Sequence, residues 1–144
     1  MRITYMKKLF SWDAGHASCT AYYKNKAFIG EANCHPDDAD FESERVGLYI
    51  AETRADIEIL RYMRDAELKP AIDALNHIVD SFKRSTYHQP DSYESSLVRR
   101  QLHRLETELA AVNNELATLR LNLRAYINSK EKFYQSIRKG RNKQ

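Results

Sequence analysis

Apolar residues in the second half of the chain recur at alternating steps of four and three: Val98, Leu102, Leu105, Leu109, Val112, Leu116, Leu119, Leu123 and Tyr126. Phe133 and Ile137 stay in phase, and Lys130 takes the one polar core position. This is a heptad pattern held for five heptads, the signature of a coiled-coil helix. Upstream, a looser stripe reads Val46, Ile50, Ile57, Leu60, Leu68, Ile72, Leu75, Val79 and Phe82. It predicts another long helix, with a kink or short break at Leu68–Lys69, because Pro70 lacks a backbone donor and crowds the preceding turn. Asp37, Asp38 and Asp40 are suitable residues for its start, and Asp91 with Glu94 resembles a capping box before the second helix.

The first 35 residues read differently. Arg2 to Phe10, His16 to Lys24 and Ala27 to Cys34 are β-prone runs, separated by the turn-like SWDAG and by a hairpin turn at Asn25 and Lys26. Strand alternation turns Tyr22 away from Tyr23 and Phe28 away from Ile29. The expected fold is α+β and forms a single domain over residues 1–144. A small N-terminal antiparallel sheet (1–35) precedes two long helices (36–85, kinked near Pro70, and 92–138) that form an antiparallel hairpin. A basic tail (139–144) follows.

Length adds an assembly argument. Residues 92–137 as one helix would reach roughly 69 Å, whereas a compact chain of this size is about 40 Å across. The first helix covers part of the apolar stripe. Leu121 and Ile127 add apolar surface outside it. A second copy of the chain is the natural cover, so an oligomer is expected, either a dimer or an assembly of dimers.

Composition narrows the class. Of 144 residues, 42% are hydrophobic and 30% charged, which is globular rather than disordered. No run approaches the roughly 20 apolar residues of a membrane span. MRITYMKKLF lacks a signal peptide's long apolar run and small-residue cleavage site. Two cysteines in such a sequence read as reduced thiols, so a cytoplasmic location is expected. The net charge of +3 hides a polarity: 36–58 carries eight acidic and two basic residues, 130–144 six basic and one acidic. Such blocks are usually solvated surface; a basic end also attracts phosphates.

Chemistry is sparse. His16, Cys19, Cys34 and His35 could make a zinc set by type. Their spacing sends neighbours to opposite faces of a strand, so buried thiols and surface histidines are the better reading, with no metal and no cofactor. GxSxG, HExxH and glycine-rich phosphate loops are missing, and helix-start acids account for DDADFESE without catalysis. The protein is not expected to be an enzyme. A nucleotide site needs an aromatic face for a base and Arg or Lys for phosphates. Nine Tyr and five Phe supply the first. Arg45, Arg54, Arg61 and Arg64 on the first helix supply the second, with Arg120 and Arg124 on the other. Snorkelling and surface ion pairs are the commoner fate of any one arginine. The candidate ligand set is Arg45, Arg120 and Arg124 for phosphates, Asn113 for a base or ribose edge, and Tyr49 for stacking.

The order of elements and the run LFSWDAGHASCTAYYKNKAFIGEANCHPDDADFESERVGLYIAETRA resemble the phage-encoded Thoeris anti-defence proteins of the first described type. The resemblance spans most of the chain and is strongest from Ile3 to Ala55. It implies an α/β oligomer built on dimers, acting in the infected bacterial host. Such a protein encloses a cyclic ADP-ribose derivative of the glycocyclic type, and in some members cyclic trinucleotides, without cleaving them. It assigns no ligand contact to a numbered position, so the candidate residues above rest on residue chemistry alone. Two other readings remain open: a phage inhibitor of another protein, such as an anti-CRISPR, that uses the helical hairpin, and a nucleic-acid-binding dimer that uses the basic end.

Overall fold

The computed structural model describes residues 7–34, 43–84 and 93–142. Three strands, β1 (Lys8–Asp13), β2 (His16–Tyr23) and β3 (Lys26–Asn33), form one antiparallel sheet in the order β1-β2-β3. Helices α1 (Ser43–Tyr62), α2 (Lys69–Arg84) and α3 (Tyr93–Asn142) follow, with a π-helical segment at Met63–Leu68 between the first two. The α+β class and the small N-terminal antiparallel sheet are as expected. The described residues fall into two compact units. Those of Arg2–Ile59 and Leu116–Gln144 form one, and those of Leu60–Glu115 form the other. No described helix is long and apolar enough to cross a membrane.

Both hairpin turns have two residues: the first lies within the expected SWDAG stretch, at its end, and the second sits one residue before its expected place. Ala14 (φ 48°) and Gly15 (φ 90°) make the first, and Lys24 (φ 49°) and Asn25 (φ 64°) the second. Two successive positive φ values match the right-handed twist of the flanking strands. Ser11, Trp12 and Asp13 therefore belong to β1, paired with Ser18, Ala17 and His16, instead of to a turn. The predicted portion of the first strand before Lys7, the predicted helix start at Asp37–Asp40 and the capping box at Asp91 lie outside the described residues.

The sheet's inner face carries small residues, and this sets how α1 packs. Ala17, Cys19 and Ala21 of β2 are fully buried, as are Ala51 and Ala55 of α1. A Cβ on Gly30 would lie 2.0 Å from the Ala51 carbonyl oxygen and 2.5 Å from the Ala55 nitrogen. A Cβ on Gly47 would lie 3.0 Å from the Trp12 ring and 3.1 Å from Ala17 Cβ. Gly47, Ala51 and Ala55 are four apart, hence on one helix face. Helix backbone thus meets strand backbone with almost no side chain between them. Val46 and Ile50, expected in the buried stripe, are only half-buried. The small residues beside them take the contact because only they permit so close an approach.

Of the kink or short break expected at Leu68–Lys69, the break does not form: the chain stays helical through Pro70. The helix widens instead, and the Lys69 N–H donates to the Arg64 carbonyl, five residues back. A proline at 70 removes the donor that residue 66 would use and crowds its carbonyl. A preceding π-turn shifts the ladder so that α2 restarts at Lys69 with Pro70 in its first turn, where a missing N–H costs least.

In α3 the buried apolar residues are Val112, Leu116, Leu123 and Tyr134, the first two completely. Val112, Leu123 and Tyr134 are eleven residues apart, three turns of a nearly straight helix, whereas a seven-residue repeat requires supercoiling. The heptad phase is lost at the end: Phe133 is 55% exposed while its neighbour Tyr134 is buried. Helix α3 also continues past Lys139 and Gly140 to Asn142, through the segment expected to be a tail.

Gly30→Ala should cost roughly 3 kcal/mol or more in urea denaturation, because helix backbone must move to admit the methyl group. Gly140→Ala, which meets nothing within 4 Å, should be neutral or slightly stabilising.

Candidate functional site

Two side-chain clusters on α1 organise the sheet-containing unit. The first lies near the N-terminal end of the helix. The Tyr49 ring stands 4.4 Å from the Tyr126 ring of α3, centroid to centroid, tilted by 48°. Lys130, one turn beyond Tyr126, holds its ammonium 5.5 Å from the Tyr126 ring centre. That is within range of a cation–π attraction. Burial is the main cause that pushes the Tyr126 phenol above its ordinary value. The neighbouring Tyr49 adds to this, and the positive charge of Arg45 opposes it. Tyr49 is 44% exposed, and Arg45 is exposed. Two aromatic rings and the Lys130 ammonium thus meet, with the Arg45 charge near enough to act on the Tyr126 phenol, where one side of the cluster is open to solvent.

The structure brings together Arg45 and Tyr49 of the predicted ligand set. It does not bring the others to them. Arg120 and Arg124 are exposed on α3. At about 100° per residue they lie roughly 120° and 160° around the helix from Tyr126. Asn113, also exposed, belongs to the other compact unit. Arg54 and Arg64 are otherwise engaged. Arg54 donates to the Glu31 carbonyl at 2.6 Å. Arg64 donates to both oxygens of Asp65, at 2.8 and 3.1 Å, and holds that carboxyl down to about 2. Tyr126 and Lys130 were hidden by the heptad. A tyrosine and a lysine at successive seam positions, four apart, are the signal that marks them.

The second cluster is half-buried beneath the sheet. Lys8 of β1 places its ammonium 2.9 Å from Glu52 Oε1 and 2.9 Å from Asp56 Oδ1. It donates a hydrogen bond to Glu52 and, at 3.3 Å, to Asp56 Oδ2. Asp56 Oδ1 lies off the hydrogen-bond direction despite its short distance and is left buried without a donor. Burial accordingly raises the Asp56 carboxyl above its ordinary value, against the pull of Lys8. For Lys8, burial favours the neutral amine, but the two carboxylates outweigh it and raise the ammonium's value. The buried Cys19 thiol is raised chiefly by desolvation. This set reads as a structural ion cluster: every member is tied to another, and its exposed side is small.

The sequence's four candidate metal ligands do not converge. Cys19 points into the sheet's inner face and is fully buried. His16 lies on the outer face, its Nδ1 2.6 Å from Asn33 Oδ1. Cys34 is half-buried beside Gly15, and His35 lies outside the described residues. Among the described residues no three His, Cys, Asp or Glu side chains are grouped to hold a metal ion.

Lys8→Met should destabilise the protein by about 2 kcal/mol, since it strands a half-buried carboxylate. Adding Asp56→Leu should recover most of the loss. The raised value of Lys8 fixes the sign of the pH dependence. Its stabilisation is complete below 10.5 and is lost as pH rises through the elevated value in the fold. Cys19 adds to the same alkaline loss from about 9.0 upward. Asp56 acts in the acid range: its contribution is present below 3.8 and lost as pH rises through its raised value. Urea midpoints measured across pH should therefore fall on the alkaline side, and less steeply in Lys8→Met.

No family model matches the chain, and no curated protein or solved structure is similar to it.

Proposed function

We propose that the protein is a non-catalytic binder that sequesters a small cyclic nucleotide signal, of the cyclic ADP-ribose or cyclic trinucleotide kind, for a phage in the cytoplasm of its bacterial host. The observation that carries this reading is the Tyr49–Tyr126 pair with Arg45 and Lys130 beside it. A purine needs an aromatic face, and a pyrophosphate needs fixed cations. The cluster offers both within one helical turn on each helix. Binding at signalling concentrations asks for nanomolar affinity, about −12 kcal/mol. That is more than an open surface cluster supplies, so the ligand has to be enclosed.

A second copy of the chain is the proposed enclosure. Leu102, Leu105, Leu109 and Leu119 of α3 remain half-buried within a single chain, and Leu121 is 67% exposed. These residues call for cover along α3 while α2 and α3 pack as an antiparallel hairpin. Asn113, Arg120 and Arg124 lie on the flank of α3 away from Tyr126, where they would enter the site from the second copy. Walls preorganised by two chains reduce the ordering cost of binding.

Titration calorimetry with cyclic ADP-ribose isomers and cyclic trinucleotides should show tight binding by one of them. The nucleotide should be recovered chemically intact after the protein is boiled. Arg45→Ala should weaken binding about ten- to hundredfold, as expected for a charge-assisted bond worth roughly 1.5–3 kcal/mol. A new product whose formation depends on the protein would rule out sequestration. Normal binding by Arg45→Ala together with loss in Arg124→Ala would move the site to the other flank of α3. Sedimentation should give at least twice the 16.8 kDa of the chain; a monomer at micromolar concentration would remove the enclosure.

A further inference from the structure

The two outer strands of the sheet are not equivalent. Gly15 accepts from the Cys34 N–H at 2.8 Å. Hydrogen-bonded and non-bonded pairs alternate along an antiparallel ladder, so Glu31, paired with Ser18, turns its backbone groups to the free edge of β3. There Arg54 of α1 donates to the Glu31 carbonyl, and that edge is capped. At the other edge Tyr22 N–H donates to the Lys7 carbonyl at 3.0 Å. The same alternation then turns the N–H and C=O groups of Lys8, Phe10 and Trp12 away from β2. Among the described residues no strand pairs with β1 on that side. Leu9 on the outer face and Phe10 on the inner face are 51% and 49% exposed. A strand that is apolar on both faces and open along its backbone is a template for another strand.

We infer that β1 pairs with β1 of a second copy of this chain, antiparallel about a two-fold axis at Phe10, so that two three-stranded sheets become one six-stranded sheet. The charges select this occupant and this register. Directly opposed residues share a face of the sheet. With the axis at Phe10, Lys7 stands opposite Asp13, Lys8 opposite Trp12, and Leu9 opposite Ser11. Lys7 and Asp13 are exposed on the outer face, and the two-fold makes their ion pair twice. Moving the axis to Leu9 or to Ser11 leaves neither Lys7 nor Asp13 facing an opposite charge. The backbone phase agrees: Lys8, Phe10 and Trp12 are the residues with free donors and acceptors, and in this register they meet one another. Phe10 pairs with its own copy on the inner face, an aromatic cross-strand contact of the stabilising kind. An isologous contact at β1 is separate from any contact along α3. It depends neither on the ligand nor on the helical seam. Where both operate, two different two-folds on one chain build assemblies larger than a dimer.

Cysteine cross-linking tests the register. Leu9 and Ser11 of opposite copies form a non-hydrogen-bonded pair, with Cα atoms about 4.5 Å apart, which a disulfide can span. In a Cys34→Ser background, an oxidised mixture of Leu9→Cys and Ser11→Cys proteins should give a covalent dimer of twice 16.8 kDa. Either variant alone should give at least fivefold less. Adding Asp13→Lys to both should suppress the cross-link by a similar factor, and adding Lys7→Asp as well should restore it. Absence of the mixed disulfide, equal yields from the single variants, or a charge swap that fails to restore the yield would each overturn the pairing. So would cross-links found only to a different protein.

Discussion

The contact that the rest of the sheet-containing unit depends on is the backbone-to-backbone approach of α1 to the inner face of the sheet. It is built from absences. Gly30 has no side chain, and Ala17, Cys19, Ala21, Ala51 and Ala55 have almost none. Such an interface gains little from the area of any one side chain. It gains from many short atom contacts, each small, that a dense interface adds together. It also tolerates little change, because the atoms that would have to move are main-chain atoms of a helix.

Close approach has electrostatic consequences. With α1 pressed against the strands, a long side chain at the inner edge has no room to leave, and Lys8 is held between β1 and α1. There it needs partners, and Glu52 and Asp56, four residues apart on one helix face, provide them. One side of the helix therefore carries the small residues of the contact and a neighbouring side carries the acids. The same helix caps the far edge of the sheet through Arg54. It contributes Arg45 and Tyr49 to the aromatic–cationic cluster. A single amphipathic stripe would not do this, and Val46 and Ile50 do not.

This explains which features could be read from the sequence. The β-prone runs, their alternation and the sheet-then-helices order follow from periodicity, and those appear in the structure. The second turn slipped by one residue because Lys24, which takes positive φ, carries no compositional mark for it. The true face of α1 was hidden because glycine and alanine do not register as hydrophobic anchors. Their role lies in what they leave out, and only the partner surface reveals it. For the candidate site, Arg45 and Tyr49 could be found from residue chemistry on one helix face. Tyr126 and Lys130 could not, since a heptad assigns both to a seam.

The seam itself carries the remaining lesson. Apolar residues placed every seven positions along α3 indicate a supercoiled partner, yet among the residues buried within one chain Val112, Leu123 and Tyr134 follow steps of eleven. The two patterns share Val112 and Leu123 and lie on one face of the helix. The eleven-residue set matches a straight helix resting on its own chain. Leu105, Leu109 and Leu119, which share that face at about 100° per residue, are only half-buried. Tyr126 lies about 40° from Val112, toward the edge of that face, and both it and Lys130 are half-buried. The aromatic–cationic cluster therefore forms at the margin of the buried stripe, where side chains are held on one side and open to solvent on the other.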